Sequence, residues 1–204
     1  MVRILPFNPR IWKKKFPPKE GIDYSRLKMT DVGEYSITKN VFAEAICDII
    51  VERRGTGVTV SDATAGMGGI TIPLAMRFSR VNAIELDPLH SGILRNNLEV
   101  YDLGSRVNVI EADFVQEFEK ITQDVVVIDP PWQGRGYKAH DRIDLFLSET
   151  DVLDLIPRLG CNLVILFVPF NFNLSRLVLS GIAHRVHRIS GEKHYLVEIT
   201  PGSP

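Results

Sequence analysis

Four consecutive residues, "DPPW" at positions 129–132, carry groups that could hold a flat ring bearing an amine. They follow the apolar run "VVVI", and because proline cannot continue a sheet ladder, the strand must end at Asp129. The Asp129 carboxylate and the Pro130 carbonyl could each accept one amine hydrogen, while the Trp132 indole could stack on the ring. Such orientation helps a nitrogen whose lone pair is delocalised into the ring to react. We therefore predict that Asp129, Pro130 and Trp132 are catalytic and that Asp129 also contacts the cofactor, the alternative being a rigid turn with a packed tryptophan.

A glycine-rich turn, "DATAGMGG" at 62–69, lies between a predicted strand and a predicted helix. Gly66 and Gly68 permit positive φ angles and let a ligand approach the backbone closely. The N-terminus of the following helix would offer unpaired N–H groups to a carboxylate or phosphate. We predict that Ala63, Gly66 and Gly68 bind a cofactor, although such a turn alone fits a dinucleotide equally well.

Three carboxylates, those of Asp62, Glu85 and Asp113, fall at the ends of three successive predicted strands. Glu85 lies about twenty residues after the turn, where an acid accepts ribose hydroxyls. Asp113 is placed beside an adenine edge, with Phe114 packing on the ring. Three acids disfavour a polyphosphate and favour a cationic ligand, so we predict S-adenosylmethionine, with capping or surface acids as the alternative.

The pattern of apolar residues predicts the elements that position these groups. Strands are predicted over 58–63, 80–86, 106–112, 124–129, 162–170, 184–189 and 194–200, and helices over 38–52, 68–78, 88–101, 115–121 and 149–159. Thr38 is placed as a possible N-cap of the first helix. Alternating strands and helices imply a parallel sheet, and the last two strands form a hairpin. We therefore predict an α/β, Rossmann-like fold with a mostly parallel seven-stranded sheet and an antiparallel C-terminal hairpin.

Charge is distributed unevenly along the 204 residues. Residues 1–30 contain eight Lys or Arg against two Asp or Glu, whereas the remainder contains 16 against 23. A basic segment on an acidic domain suits phosphate binding, the alternative being a solvated leader. Its aromatic residues are too irregularly spaced for one helix face. We predict a basic N-terminal arm over 1–33 that docks on another surface, followed by a single domain over 34–204.

Other residue types exclude several classes of protein. Cys47 and Cys161 lie in apolar segments, which predicts buried, reduced thiols in an intracellular protein. No metal site is expected, and no stretch is long and apolar enough to span a membrane. The histidines His184, His187 and His194 are predicted to be ordinary edge residues of the last strands rather than ligands.

Several segments together resemble the catalytic domain of trimethylguanosine synthases, which are RNA cap guanine-N2 methyltransferases. In order and spacing, the similar segments are "EYSITKN" (34–40), "DATAGMGGITIPLA" (62–75), "AIELDP" (83–88), "RNNLEVYDLGSRV" (95–107), "EADF" (111–114) and "DPPWQGRGY" (129–137). The similarity covers roughly residues 12–140, and the C-terminal third only loosely. The tract "RNN…Y" together with "PPW" is fairly specific, whereas the glycine turn is not.

The resemblance implies a Rossmann-like class I methyltransferase that methylates the N2 amine of a 7-methylguanosine RNA cap. It assigns stacking on the cap to Trp132 and closure of the methionine end of the cofactor to Thr38. Arm lysines, Lys13 and Lys14 among them, would meet the cap phosphates. Apart from the resemblance, Arg135, Tyr137 and Lys138 follow the tryptophan on the same loop, and we predict that they contact the substrate, the alternative being that they only solvate the loop.

Two departures from the family leave the target base open. The family typically has a serine at the position of Asp129, and an arginine at the position of Phe170. A carboxylate there resembles adenine-N6 and cytosine-N4 enzymes. The alternatives are therefore an adenine-N6 or guanine-N2 methyltransferase acting on uncapped RNA or DNA, and an inactive subunit that binds RNA.

Overall fold

The computed structural model of this protein describes residues 2–132 and 134–201. Its strands are β1 (Thr59–Asp62), β2 (Arg80–Glu85), β3 (Val107–Glu111), β4 (Val125–Ile128), β5 (Phe146–Leu147), β6 (Thr150–Asp151), β7 (Leu163–Val168), β8 (His184–Arg188) and β9 (Tyr195–Ile199). Seven of them form a sheet in the order β3-β2-β1-β4-β7-β9-β8, and β5 and β6 form a separate antiparallel pair. Within the sheet, β9 is antiparallel to both of its neighbours. The predicted Rossmann-like fold, with its antiparallel C-terminal hairpin, is confirmed.

The helices are α1 (Pro9–Lys15), α2 (Asp31–Ser36), α3 (Asn40–Arg54), α4 (Thr71–Arg77), α5 (Pro88–Val100), α6 (Phe114–Glu117), α7 (Val152–Leu155) and α8 (Leu174–Leu179), with short 3-10 turns at Tyr24–Arg26, Gly104–Arg106, Phe118–Lys120, Arg135–Ala139 and Ile156–Arg158. The N-cap of α3 is Lys39, so the placement of Thr38 as that N-cap is wrong. Helix α4 begins at Thr71, three residues later than predicted, because the glycines before it form the turn itself. Among the described residues, no helix is long and apolar enough to cross a lipid bilayer.

Hydrophobic side chains cover both faces of the sheet. Along β4, Val125 and Val127 belong to one buried cluster, whereas Val126 and Ile128 belong to the other. This alternation follows from the period of two in a strand, and both faces are apolar because helices cover both sides of a parallel sheet. Cys47 and Cys161 are free and buried, as predicted.

The N-terminal segment packs onto the same core. Trp12 and Phe16 are 2% and 0% exposed and belong to the larger cluster. Helix α1 is capped by the Asn8 side chain and begins with Pro9, which suits a first helical position. Helix α1 was not among the predicted helices, because Trp12 is the only buried residue among its seven and the helix therefore shows no apolar periodicity.

Sheet order determines where a ligand can bind. Strands β1 and β4 are neighbours in the middle of the sheet, although β2 and β3 lie between them in the chain. The chain continues from β1 to β2 and β3 on one side and then returns to β4 on the other side of β1. At such a reversal of strand order, the carboxyl ends of the two central strands, β1 and β4, border a crevice. The Ala63 N–H donates to the Val127 carbonyl at 2.9 Å, which brings the glycine turn next to the "DPPW" segment.

Candidate active site

Asp62 stabilises the glycine turn through hydrogen bonds to residues on both sides of it. This residue ends β1, is fully buried, and accepts hydrogen bonds from the Thr71 hydroxyl at 2.7 Å and the Thr64 N–H at 3.3 Å. Burial is the largest influence on Asp62 and raises its pKa to about 6. Its contacts are to the protein, so its predicted contact with a cofactor stays a prediction.

Two glycines of the turn have the positive φ angles that the sequence suggested, +53° at Gly66 and +102° at Gly68. A Cβ at Gly68 would lie 3.0 Å from Ile72 and 3.1 Å from Leu94, so this glycine allows the turn to pack on helices α4 and α5. A Cβ at Gly66 would meet nothing closer than the Thr64 carbonyl at 4.0 Å. Gly66 therefore presents bare backbone to open space, where a ligand can approach.

The other two predicted acids lie at the ends of β2 and β3. Glu85 accepts hydrogen bonds from the N–H groups of Gly66 at 2.7 Å and Asp87 at 2.8 Å, and so ties β2 to the glycine turn. Asp113 caps α6 and accepts a hydrogen bond from the Ser148 hydroxyl at 2.7 Å. Phe114 follows it and is buried. The acids thus form a row along the carboxyl edge of the sheet, as the spacing predicts.

A cavity of about 700 Å³ lies between the glycine turn and the segment after β4. The residues that line it include the predicted site residues Thr38, Gly66, Asp129, Pro130, Trp132, Tyr137 and Lys138. The other predicted cofactor residues, Asp62, Ala63, Gly68, Glu85, Asp113 and Phe114, are not among its lining residues. Lys13 and Lys14 are exposed on α1. The side chain of Arg135 lies outside the described part of the structure, so its predicted contact with the substrate stays a prediction.

Asp129 occupies the centre of the cavity wall. Its N–H donates to the Thr64 hydroxyl at 2.9 Å, and its Oδ2 accepts a short hydrogen bond from the Thr38 hydroxyl. No described group donates to its Oδ1. Burial raises the pKa of Asp129 to about 7, the Thr38 hydrogen bond lowers it, and the nearby Asp62 raises it further. Asp129 is therefore an acceptor that is ionised only towards and above neutral pH.

Aromatic rings form the wall beside Asp129. The ring centroid of Trp132 is 4.9 Å from that of His194, 5.1 Å from Phe167 and 5.3 Å from Tyr137. The Tyr137 hydroxyl is hydrogen-bonded to Nε2 of His194 at 3.0 Å. Trp132 Nε1 is buried and has no hydrogen-bond partner among the described residues. Such a wall suits a flat, apolar-faced ligand.

Cationic side chains surround the mouth of the cavity. Lys15 and Lys39 line it together with the predicted Lys138. Lys15 donates to the Ile37 carbonyl at 3.3 Å, and burial, followed by the charge of Lys39, lowers its pKa. Lys39 forms an ion pair with Glu192 at 2.8 Å. An anionic group entering this mouth would meet several positive charges.

Lining residues that the sequence did not single out by number include Lys15, Lys39, Phe167 and His194. Lys15 and Lys39 had a signal, because Lys15 lies in the basic arm and Lys39 in the segment "EYSITKN". His194 was predicted to be a surface or edge histidine rather than a ligand, and nothing in the sequence indicated that it would line this cavity. Strand β9 runs antiparallel to β7, with Tyr195 opposite Val168, so the start of β9 reaches the carboxyl edge of the parallel strands.

These features fit a cationic nucleoside cofactor. Gly66 provides bare backbone at the cavity surface, Glu85 and Asp113 provide acceptors along the strand ends, and Thr38 and Asp129 adjoin the glycine turn. Acceptors suit ribose hydroxyls, an adenine amine and positive charge better than a polyphosphate. Among the described residues, no group of three or more His, Cys, Asp or Glu side chains could hold a metal ion.

Comparison with known proteins identifies relatives over most of the chain. An uncharacterised protein, L320, of Acanthamoeba polyphaga mimivirus is 27% identical over 213 residues, covering 90% of this chain and 83% of that protein. The trimethylguanosine synthases of Schizosaccharomyces pombe and Saccharomyces cerevisiae are 28% and 27% identical, over 74% and 82% of this chain. The matches span 66% of the first yeast protein and 56% of the second.

Solved structures share the fold. The Thermus thermophilus 16S rRNA N2 G1207 methyltransferase (RsmC), solved with AdoMet and guanosine, has a TM-score of 0.62 at 19% identity, covering 78% of this chain and 42% of that one. A putative rRNA methylase from Clostridium thermocellum has a TM-score of 0.55 at 18% identity, over 80% of this chain and 98% of that one. Residues 58–199 match the family described as RNA cap guanine-N2 methyltransferase. The chain therefore belongs to this family and is a methyltransferase whose cofactor is S-adenosylmethionine.

Proposed function

We propose that this protein methylates the N2 amine of guanine in a 7-methylguanosine RNA cap. One observation carries the proposal: the Asp129–Pro130 acceptors and the Trp132 ring line the same cavity as the glycine turn. Family membership supports it, as do the names of the two yeast relatives. The Thermus thermophilus neighbour, by its title, acts on N2 of an rRNA guanine, which supports the choice of nitrogen.

Bound S-adenosylmethionine supplies an electrophilic methyl group. The task of the protein is to aim the amine at it, because the N2 lone pair is delocalised into the purine. Thr38 holds Oδ2 of Asp129, which leaves Oδ1 as an acceptor for one amine hydrogen. The Pro130 carbonyl accepts the other. Fixing both hydrogens in a water-poor cavity is worth several kcal/mol of barrier, and Asp129 can take the proton that the amine loses.

Stacking on Trp132 then determines where the base lies relative to Asp129 and the Pro130 carbonyl. A 7-methylguanine ring carries a positive charge, so stacking on an indole gains a cation–π contribution of about 0.5–2 kcal/mol beyond dispersion. Tyr137 and Phe167 extend the aromatic wall around Trp132. An unmethylated guanine lacks the charge and loses this contribution, which gives a preference for the methylated cap.

The phosphates of the cap are the proposed partners of the lysines. Lys15, Lys39 and Lys138 surround the cavity mouth, and Lys13 and Lys14 extend the positive surface along α1. We retain the division into a basic arm over 1–33 and a methyltransferase domain over 34–204 as part of this proposal. Each lysine that contacts a phosphate adds to the salt dependence of RNA binding.

A second candidate is methylation of adenine N6 or guanine N2 in uncapped RNA or DNA. The observation in its favour is Asp129 itself, a carboxylate where the resembling enzymes have serine. An acceptor of this kind serves any planar exocyclic amine. This candidate requires activity on polynucleotides that lack a cap.

The two candidates differ in the substrate on which the enzyme acts. We would incubate the protein with labelled S-adenosylmethionine and m7GpppG, GpppG, capped RNA, uncapped RNA or DNA, and identify the modified nucleoside by mass. The cap proposal expects product from m7GpppG and capped RNA with methyl on N2, and about two- to thirtyfold less from GpppG. Equal turnover of m7GpppG and GpppG, or product only from uncapped polynucleotide, would overturn it.

A further inference from the structure

The position of His194 in the cavity follows from the direction of β9 in the sheet. It directly precedes β9, whose first residue, Tyr195, pairs with Val168 at the carboxyl end of β7. The histidine is therefore delivered to the same edge of the sheet as Asp129. Its neighbours there are rings, with centroid distances of 4.9 Å to Trp132, 5.9 Å to Phe167 and 6.0 Å to Phe42.

The orientation of Trp132 depends on ring contacts. Its Nε1 is buried without an acceptor among the described residues, so no described hydrogen bond determines the plane of the indole. Of the three rings that contact it, Phe167 lies on a sheet strand, and Tyr137 and His194 come from loops. The 3.0 Å hydrogen bond between the Tyr137 hydroxyl and His194 Nε2 joins these two loops. The pair thus encloses the indole between the loop after β4 and the start of β9.

Asn171 stabilises the other side of the same loop. Its Nδ2 donates to the carbonyls of Tyr137 and His140, both at 2.8 Å. The backbone of Tyr137 is thereby fixed, its ring packs on Trp132 and Phe170, and its hydroxyl is held by the hydrogen bond with His194. Removing the imidazole would free both the Tyr137 hydroxyl and one side of the Trp132 ring.

We propose that His194 is a substrate-positioning residue, which through its contact with Trp132 and its hydrogen bond to Tyr137 holds the indole in the plane that a flat base requires. This inference rests on the proposed function, since it assumes a base that stacks on Trp132. The imidazole acts through the indole and is not itself a catalytic group.

The surroundings of His194 disfavour its charged form. Burial lowers its pKa, Glu192 opposes this, and Lys39 and Lys138 lower it further, while the rings that face it carry no charge.

The test compares His194→Ala, His194→Phe and His194→Gln, with His184→Ala as the matched control on the exposed strand β8. Dissociation constants for m7GpppG and for S-adenosylmethionine are measured by calorimetry at pH 7.5. An aromatic contact of this kind corresponds to about a three- to tenfold loss, so His194→Ala and His194→Gln should weaken m7GpppG binding by that factor. His194→Phe keeps the ring contact with Trp132 and loses only the hydrogen bond to Tyr137, so it should lose less affinity than His194→Ala and His194→Gln. His184→Ala should change nothing, and cofactor binding should be unaltered throughout.

Unchanged m7GpppG binding by His194→Ala would overturn the inference, as would equal behaviour of the glutamine and phenylalanine variants. If the wild type does not prefer m7GpppG to GpppG, the proposed function fails instead, and the variants are measured on the polynucleotide that the wild type binds. A third measurement needs no substrate. The emission of Trp132, taken as the difference between wild type and Trp132→Phe, should shift in His194→Ala, and an unshifted spectrum counts against the inference.

Discussion

The two sides of the cavity are built in different ways. On the side of β1 and β2, the polar groups satisfy one another: Asp62 bonds to Thr71, and Glu85 bonds to the N–H of Gly66. On the side of β4, Trp132 Nε1 has no partner among the described residues, and Oδ1 of Asp129 receives no hydrogen bond from a described group. The first side is a turn held by its own backbone, and the second is assembled from side chains of separate segments.

This difference has a functional meaning. A preformed backbone surface suits a ligand that is always the same, and S-adenosylmethionine is such a ligand. Incompletely satisfied groups carry a cost in stability, which is typical of surfaces that exchange substrates and react with them. We expect substitutions on the first side to affect folding or cofactor binding, and those on the second to affect turnover and substrate affinity.

The largest expected effect is that of Asp129→Ala on the β4 side. Loss of the acceptor should reduce kcat by about a hundredfold or more, because one preorganised hydrogen bond in such a site is worth roughly 2.7–4 kcal/mol. The affinity for S-adenosylmethionine should change much less. Steady-state kinetics on m7GpppG with calorimetry for the cofactor measures both.

Asp129→Asn is the control for that variant, because it keeps a carbonyl acceptor and removes the charge. It should retain more activity than Asp129→Ala. An Asp129→Ala protein with wild-type kcat would remove the distinction between the two sides.

Gly68→Ala tests the turn side. The new Cβ would lie 3.0 Å from Ile72 in a backbone with φ of +102°, so the variant should lose about 2–3 kcal/mol of unfolding free energy. Urea denaturation monitored by circular dichroism gives the value. Gly92→Ala is the matched control, since its Cβ meets nothing within 4 Å on helix α5, and it should gain about 0.5–1 kcal/mol. Equal stabilities of the two variants would contradict the role assigned to the turn.

Trp132→Ala should raise the KM for m7GpppG by about tenfold, from the loss of stacking and the cation–π contribution. Trp132→Phe keeps a ring and should raise KM by only about two- to threefold. The effect on GpppG should be smaller in both variants, because that base is uncharged. Initial rates measured over a range of concentrations of each dinucleotide give the two KM values. An equal rise in KM for m7GpppG and GpppG would show that the charge of the base does not contribute to binding.

The smallest expected effect concerns pH. Asp129 has a pKa of about 7 and acts when ionised, so kcat should rise with pH through that value. The Thr38 hydrogen bond stabilises the ionised form, and Thr38→Val should therefore raise this pKa and move the profile to higher pH. At pH 7 the variant should be about two- to threefold slower, and at pH 9 nearly equal to the wild type. A profile that moves to lower pH would contradict the assignment of Asp129 as the ionised acceptor.

Much of the sheet could be predicted, for identifiable reasons. The residues "VVVI" form a buried strand because they are β-branched, and the two prolines after Asp129 stop it. Strand β4 accordingly ends at Ile128, one residue before the predicted end. The same reasoning places β7 and the hairpin. Helix α1 and helix α2 were not predicted, since each is short and has one buried residue.

The sequence by itself determined the alternation of strands and helices, the glycine turn, the carboxylates at successive strand ends and the stop at Asp129. These features are local, because periodicity, proline and glycine act on the backbone within a few residues. Only the tertiary structure decided that the Thr38 hydroxyl binds Asp129, that Lys15 reaches the cavity, and that His194 packs on Trp132. These contacts join residues far apart in the chain, and they depend on strand order and direction, which no local pattern encodes.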